Sequence, residues 1–348
     1  MAASKKSVRQ LLRETEMKQQ FPNNEWYSIR SMLGNTWAFF YILIGGREAG
    51  KSYAVMDYFV WEYKTRKKPF IWLRLTEAST KKMLSNNAAE FVDADICRRY
   101  DLKLTVKGNQ VYDHGKEFAK VLALSTFYND KGVALFDNEF FQGYNIALDE
   151  MNRERNEKKT FDINYAFVNQ MENLIRSTKT KLRIFLIGNT LEEASDIMCS
   201  FNFIPENFGR YYVRKKKAII DYIPPSKKYL ERRKGTVADL LAPEASTFTN
   251  KIVVDISLIE KSRLKKPSYI IRFSKTEAYT VWDSKIICPY NNEHLANEIN
   301  MYAYLDGIFS TELRDGVIDT FHCRGYKFRN LITQKRFKKA LELMKPRG

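Results

Sequence analysis

The chain has 348 residues, 44% of them apolar, with 58 Lys and Arg against 41 Asp and Glu for a formal net charge of +17. That much apolar material excludes a disordered chain. Four cysteines (Cys97, Cys199, Cys288, Cys323), three histidines and no Cys-x-x-Cys exclude a disulfide scaffold and argue against a structural zinc site.

In chain order, residues 4–20 read as a short charged helix with Val8, Leu11, Leu12 and Met17 as a thin apolar stripe, ended by Asn23 and Asn24. The first residues have no hydrophobic signal region. The longest apolar run, Trp37–Ile44, is eight residues, whereas a membrane span needs about 20. No membrane association is expected, and a cytosolic setting is. That run has no helical period and reads as a strand buried on both faces. It ends in Gly45-Gly46, and a helix is predicted from Gly50 to about Lys64. Phe70–Leu75 is a second strand. Leu102–Val106 and Gln110–Tyr112 flank Lys107-Gly108-Asn109 as a hairpin, and Phe118–Leu124 follows. Asn145–Leu148 is a short buried strand ending in Asp149-Glu150, and residues 151–160 are a charged loop. Tyr165–Arg176 carries apolar residues at helical spacing, and Leu182–Ile187 is a strand ending in Gly188-Asn189.

This alternation predicts an α/β domain with a largely parallel sheet. Pro224-Pro225 marks the clearest boundary. Beyond it come a basic helix from Lys227 to Lys234, short strands at Tyr269–Phe273, Ala278–Trp282 and Lys285–Cys288, and a basic terminal helix from Leu331 to Met344. The expected division is residues 1–200, a linker region at 201–226, and a smaller α+β domain at 227–348.

Gly45-Gly46-Arg47-Glu48-Ala49-Gly50-Lys51-Ser52 fits G-x-x-x-x-G-K-[ST] between a strand and a helix, the Walker A context. Glycines let backbone N–H groups curl round phosphates, and the helix N-terminus adds its positive end. Lys51 is expected to reach the β- and γ-phosphates and Ser52 to ligate Mg²⁺. Arg47, inside the loop, faces phosphate or solvent. Asp149, ending a buried strand, is the expected Walker B acid that holds Mg²⁺, and Glu150 beside it the group that activates water. The Asp-Glu doublet favours a hydrolase over a small-molecule kinase. The guanine-reading Asn-Lys-x-Asp is absent, so ATP is expected. Asn189 at its strand end suits either the γ-phosphate or a capping role. Arg176 ends a helix, where it serves either as a solvated cation or as an arginine finger.

GGREAGKS opening a helix, ALDEMNRE, Glu172–Arg176 and the strand ending Ile187-Gly188-Asn189 together resemble the DNA-packaging ATPases of small tailed phages of the phi29 type, distant relatives of terminase large subunits. The match runs through roughly residues 37–200 and weakens beyond. The resemblance implies an ASCE-type P-loop domain in which Lys51 and Ser52 bind ATP and Mg²⁺, Asp149 is the Walker B acid and Glu150 the catalytic base. It implies that Arg176 acts in trans as a finger, that Lys131 is a second trans-acting basic residue, and that Asn189 is sensor-like. It implies a homo-oligomeric ring, usually five subunits, docked on the portal (connector) of an empty capsid in the host cytoplasm and driving double-stranded DNA inward. Whether a structural RNA joins the motor is open.

In terminase relatives the C-terminal domain is an RNase H-like nuclease, which needs three clustered carboxylates. Here Asp283, Asp306, Asp315 and Asp319 sit in no nuclease motif, while residues 226–348 carry 23 Lys and Arg against 14 Asp and Glu. A degenerate nuclease fold kept for nucleic-acid or capsid contact is therefore expected. Basic residues interleaved with aromatics (Arg210-Tyr211-Tyr212, Lys227-Lys228-Tyr229, Arg324–Arg329) either grip DNA phosphates or border buried aromatics. The rival functions are a cellular DNA translocase or helicase, which usually carries a second ATPase core, and a nucleic-acid-binding structural protein with an inactive nucleotide site.

Overall fold

The computed structural model describes residues 19–23, 25–46, 48–130, 144–152, 161–175, 182–189, 196–205, 207–241, 256–274, 277–290, 301–303 and 311–344. The chain divides into two units, Met1–Val253 and Val254–Gly348. Most of the helix expected over 4–20 lies outside the described residues.

The apolar runs of the first unit become strands because each can bury both faces. They are β1 (Phe40–Ile44), β2 (Phe70–Arg74), β3 (Leu104–Lys107), β4 (Gln110–Asp113), β5 (Lys116–Ala123), β6 (Asn145–Asp149), β7 (Ile184–Gly188), β8 (Gly209–Val213) and β9 (Ala218–Tyr222). They form one sheet in the order β3-β4-β5-β2-β6-β7-β1-β9-β8. The central run from β5 to β9 is parallel, and antiparallel strands close both edges. Helix α1 (Lys51–Arg66) buries Phe59 against the sheet. The Phe59 ring meets Phe70 at 5.1 Å and Phe185 at 5.4 Å between centroids. Helix α2 (Ile163–Ile175) buries Ile163, Phe167, Met171 and Leu174 at helical spacing.

Two features of this sheet position a site. First, β7 lies between β1 and β6, the inserted-strand order of the ASCE class. Second, the register aligns the strand ends: Ile44 pairs with Gly188, Asp149 with Ile187, and Leu73 with Leu148. The residues following β1, β6 and β7 therefore line one edge, beside Arg74 at the end of β2. Ligands of open α/β sheets bind at such an edge.

The segment expected as a linker at 201–226 supplies β8 and β9, and β9 pairs with β1 from Phe40↔Ala218 to Ile44↔Tyr222. The basic run Arg214–Lys217 disguised this region, because it is only the turn between two strands and the apolar residues after it are fully buried. Arg210, a candidate DNA grip, faces inward. Its side chain is 5% exposed, and it makes two 2.7 Å hydrogen bonds to the fully buried Asp221. Tyr27 Oη donates to the same carboxylate at 2.7 Å.

In the second unit, strands β10 (Pro267–Arg272), β11 (Ala278–Trp282) and β12 (Ile286–Pro289) form an antiparallel meander. Strand β13 (Met301–Ala303) pairs parallel to β10, and β14 (Lys327–Phe328) parallel to β12. Before α4 (Leu331–Met344) in this unit comes α3 (Lys227–Arg233) of the first unit. On α4, Phe337 is fully buried and packs on Phe273, Tyr279, Tyr326 and Phe328. The aromatics of the Arg324–Arg329 run thus belong to the core, and Arg329 is bonded to the carbonyls of Glu260 and Ser262.

Candidate active site

The loop that carries the Gly-Lys-Ser motif leaves β1 at Gly45. A Cβ there would lie 3.0 Å from the Cβ of Ile223 and 3.3 Å from its carbonyl oxygen, so the close passage of the chain after β9 requires glycine. Gly50 caps α1 at φ +84°, a left-handed conformation, with the Trp26 ring 3.4 Å from where a Cβ would stand. The Tyr27 N–H donates to the Ala49 carbonyl at 3.0 Å. Since the Tyr27 hydroxyl is tied to Asp221, the buried Arg210–Asp221–Tyr27 group braces the loop from β9. Burial, reinforced by Asp221, holds the Tyr27 hydroxyl well above its ordinary pKa, so it stays a donor.

Lys51, the first residue of α1, is only 6% exposed. Its Nζ donates to the carbonyls of Gly45 at 2.9 Å and Gly46 at 2.5 Å. Burial lowers its pKa to about 8, against an opposing pull from Asp149.

Ser52 Oγ donates to Asp149 Oδ1 at 2.9 Å, across 97 residues of sequence. The Glu150 N–H donates to the same oxygen at 3.1 Å. A serine hydroxyl and a buried carboxylate beside a phosphate loop are hard oxygen donors that suit Mg²⁺. Glu150 sits at φ +55°, which turns its half-exposed side chain out of the strand direction. Arg74 spans both acids: Nη1 bonds Asp149 Oδ2 at 3.1 Å, and Nη2 bonds Glu150 Oε2. The Arg74 Nε is buried with no partner. Sequence reasoning missed Arg74; the available signal was a lone cation in the apolar run Phe70–Leu75. Held this way, Glu150 has one carboxylate oxygen engaged by a guanidinium and the other left to accept from a neighbouring group.

Asn189 follows β7 at the same edge, and its carbonyl accepts a 3.5 Å contact from Asn152 Nδ2. A Cβ at Gly188 would come within 2.8 Å of Asn152 Nδ2 and of Met151 Cε, so the Asp149–Asn152 turn packs directly on the end of β7. The structure thus brings Gly45, Gly46, Gly50, Lys51, Ser52, Asp149, Glu150 and Asn189 to one edge. Arg47, Lys131 and Arg176 lie outside the described residues.

The sequence model of the family described as Podovirus DNA encapsidation protein (Gp16) matches residues 23–295. The DNA packaging protein of Bacillus phage phi29 is 25% identical over 236 residues, which cover 66% of this chain and 66%, just under two thirds, of that protein. The DNA packaging protein of Bacillus phage B103 is 25% identical over 287 residues, covering 79% and 83%. Among solved structures, the Phi-28 gp11 DNA packaging motor superposes with a TM-score of 0.65 at 14% identity, covering 94% of this chain and 100% of that one. The bacteriophage Phi-29 viral genome packaging motor assembly gives 0.63 at 19% identity, covering 92% and 99%. At those identities the likeness bears on the fold.

Proposed function

The chain belongs to the podovirus DNA encapsidation protein (Gp16) family, and on that footing we propose that it is an ATP-hydrolysing motor that moves double-stranded DNA into a viral capsid. The observation that carries this reading is the meeting of Ser52, Asp149 and Glu150 at the strand edge occupied by the Lys51 loop.

In this reading the loop N–H groups and Lys51 hold the ATP phosphates, and Ser52 and Asp149 hold Mg²⁺. The ion supplies charge neutralisation on the phosphates. Glu150 takes a proton from water as the water oxygen bonds to the γ-phosphorus. The bond to the β–γ bridging oxygen breaks, and ADP and inorganic phosphate leave. Asn189 contacts the γ-phosphate or the attacking water. Arg176 and Lys131 act in trans on a neighbour's nucleotide within a ring, taken as five subunits, seated on the capsid portal in the host cytoplasm.

The second unit acts as a basic contact domain without nuclease activity. The meander with β13 parallel to its first strand supports an RNase H-type ancestry. Yet β10 (PSYIIR) carries no carboxylate, and both Asp283 oxygens accept backbone N–H groups, from Lys265 and Lys266. No cluster of three metal-ligating residues occurs among the described residues. Asp306 lies outside them. None of the described helices is long and apolar enough to cross a membrane.

The test is ATP hydrolysis by the assembled motor with and without double-stranded DNA, in wild type and Glu150→Gln. Hydrolysis stimulated by DNA and lost in the variant is expected. Hydrolysis that persists unchanged in Glu150→Gln removes Glu150 as the base, and none in either protein favours a structural role.

A further inference from the structure

The chain that leaves β9 rides on the phosphate loop. The Ile223 N–H donates to the Ile44 carbonyl at 2.7 Å, and Ile223 packs against Gly45. After Pro224-Pro225 it enters α3, started by Ser226, whose Oγ accepts the Tyr229 N–H at 3.1 Å. Tyr229 is 2% exposed and anchors the helix.

Three cations of α3 then reach back to acids near or within the loop. Lys228 and Arg232 pair with Glu25 at 3.3 and 3.0 Å, and the Arg232 guanidinium lies 4.4 Å from the Trp26 ring centroid. Both of those cations are well exposed, so their pairing is a weak surface attachment. Glu25 and Trp26 precede Tyr27, which is locked to Asp221, so this attachment point is fixed.

Arg233 differs. Its side chain is 17% exposed, and its Nη1 lies 3.9 Å from Oε1 of Glu48, inside the phosphate loop itself. Glu48 stands at φ +60° with a side chain 60% exposed. A sheltered guanidinium, which also lies 5.7 Å from the Tyr229 ring centroid, thus faces an exposed acid at the outer limit of an ion pair, beside the Lys51 loop. Guanidinium binds phosphate through paired N–H groups more strongly than it binds an exposed carboxylate at this distance. A triphosphate in the loop would also place further negative charge against Glu48.

We propose that Arg233 is a phosphate-contacting residue that exchanges Glu48 for the phosphates of the bound nucleotide, so that α3 is drawn to the loop by nucleotide occupancy. The exchange couples the nucleotide to the first helix on the path toward the second unit. This rests on the nucleotide-site reading of the loop.

The test is equilibrium binding of ATP to the full-length chain, in wild type, Arg233→Ala, Arg233→Lys, Glu48→Gln and Lys51→Ala. Arg233→Ala is expected to weaken ATP binding about tenfold, the loss of one charge-assisted contact, and Arg233→Lys to weaken it less. Glu48→Gln is expected to tighten binding about threefold, because a charged competitor for Arg233 is removed. The opposite signs are the signature. If Arg233→Ala binds like wild type, or if Glu48→Gln weakens binding as Arg233→Ala does, the pair is only a brace and the proposal falls. Glu48, being exposed, keeps the test valid even if Arg233→Ala folds poorly. A wild-type chain that does not bind ATP, or binding indifferent to Lys51→Ala, would instead overturn the nucleotide-site reading and this assignment with it.

Discussion

Asp149 and Asp283 each lie at the end of a strand, yet they do opposite work. Asp149, 7% exposed, meets Ser52, Arg74 and its neighbour Glu150. Asp283, in the β11–β12 turn at φ +49°, gives both oxygens to the N–H groups of Lys265 and Lys266. The difference is one of topology. In a parallel sheet every strand ends on the same edge, so residues far apart in sequence are gathered there. In a meander successive strands end on opposite edges, so a carboxylate at a turn finds local backbone instead. Buried charge divides between the units as well: the first buries Lys51, Glu62, Asp113, Asp149 and Asp221, whereas no charged residue appears among the buried described residues of the second.

The sharpest way to break this contrast is Glu150→Gln. It removes the proposed proton acceptor and, with it, the charge that faces Arg74, and kcat of the assembled motor is expected to fall by about 10²–10⁴-fold, with ATP affinity preserved. Next is Asp221→Asn, which leaves the buried Arg210 cation without its counter-charge. It is expected to cost about 3–5 kcal/mol in chemical denaturation, and because Tyr27 links that carboxylate to Ala49, ATP affinity should fall as well. Stability unchanged in this variant would show that the first unit does not depend on its buried pair.

The pH response is smaller and graded. To hold phosphate as proposed, Lys51 must be protonated, and in the free chain its pKa is lowered to about 8. Below that pH its proton is already in place and affinity is flat on this account. Above it, binding must take up a proton, and affinity for ATP is expected to fall by about tenfold per pH unit. The stability sign runs the other way: a depressed lysine pKa penalises the native state at neutral pH, and the penalty is relieved as pH rises from about 8 toward the ordinary value of 10.5. An ATP affinity that does not move between pH 7 and about 9.5 would show that Lys51 does not titrate in this range. The smallest effect is expected at the exposed turn. Asp283→Asn should cost less than about 1 kcal/mol and leave ATP hydrolysis within twofold of wild type, measured on the same motor. A large loss of activity there would return the second unit to the list of catalytic candidates.

Much of the first site was legible because its parts are local. A strand that ends in glycines before Gly-Lys-Ser, and an apolar strand that ends in Asp-Glu, are patterns of a few residues. The backbone chemistry that makes them acts over the same few residues. The basic, aromatic runs stayed open for one cause. The sequence around Arg210 and around Tyr326 and Phe328 suited either a surface grip or a border of buried aromatics, and burial decided between them. Composition over a short window records charge without recording which face of a strand turns inward.

By itself the sequence determined the alternating α/β character, the strand–glycine–helix turn that carries Lys51 and the acidic doublet at a strand end, since each depends on near neighbours. Tertiary structure alone decided that β7 separates β1 from β6 and that β8 and β9 complete the same sheet. It alone decided that Arg74 closes over Asp149 and Glu150, and that Tyr27 bonds Asp221 across 194 residues. Those contacts are set by strand order and register, which fold the chain back on itself over distances no local pattern encodes.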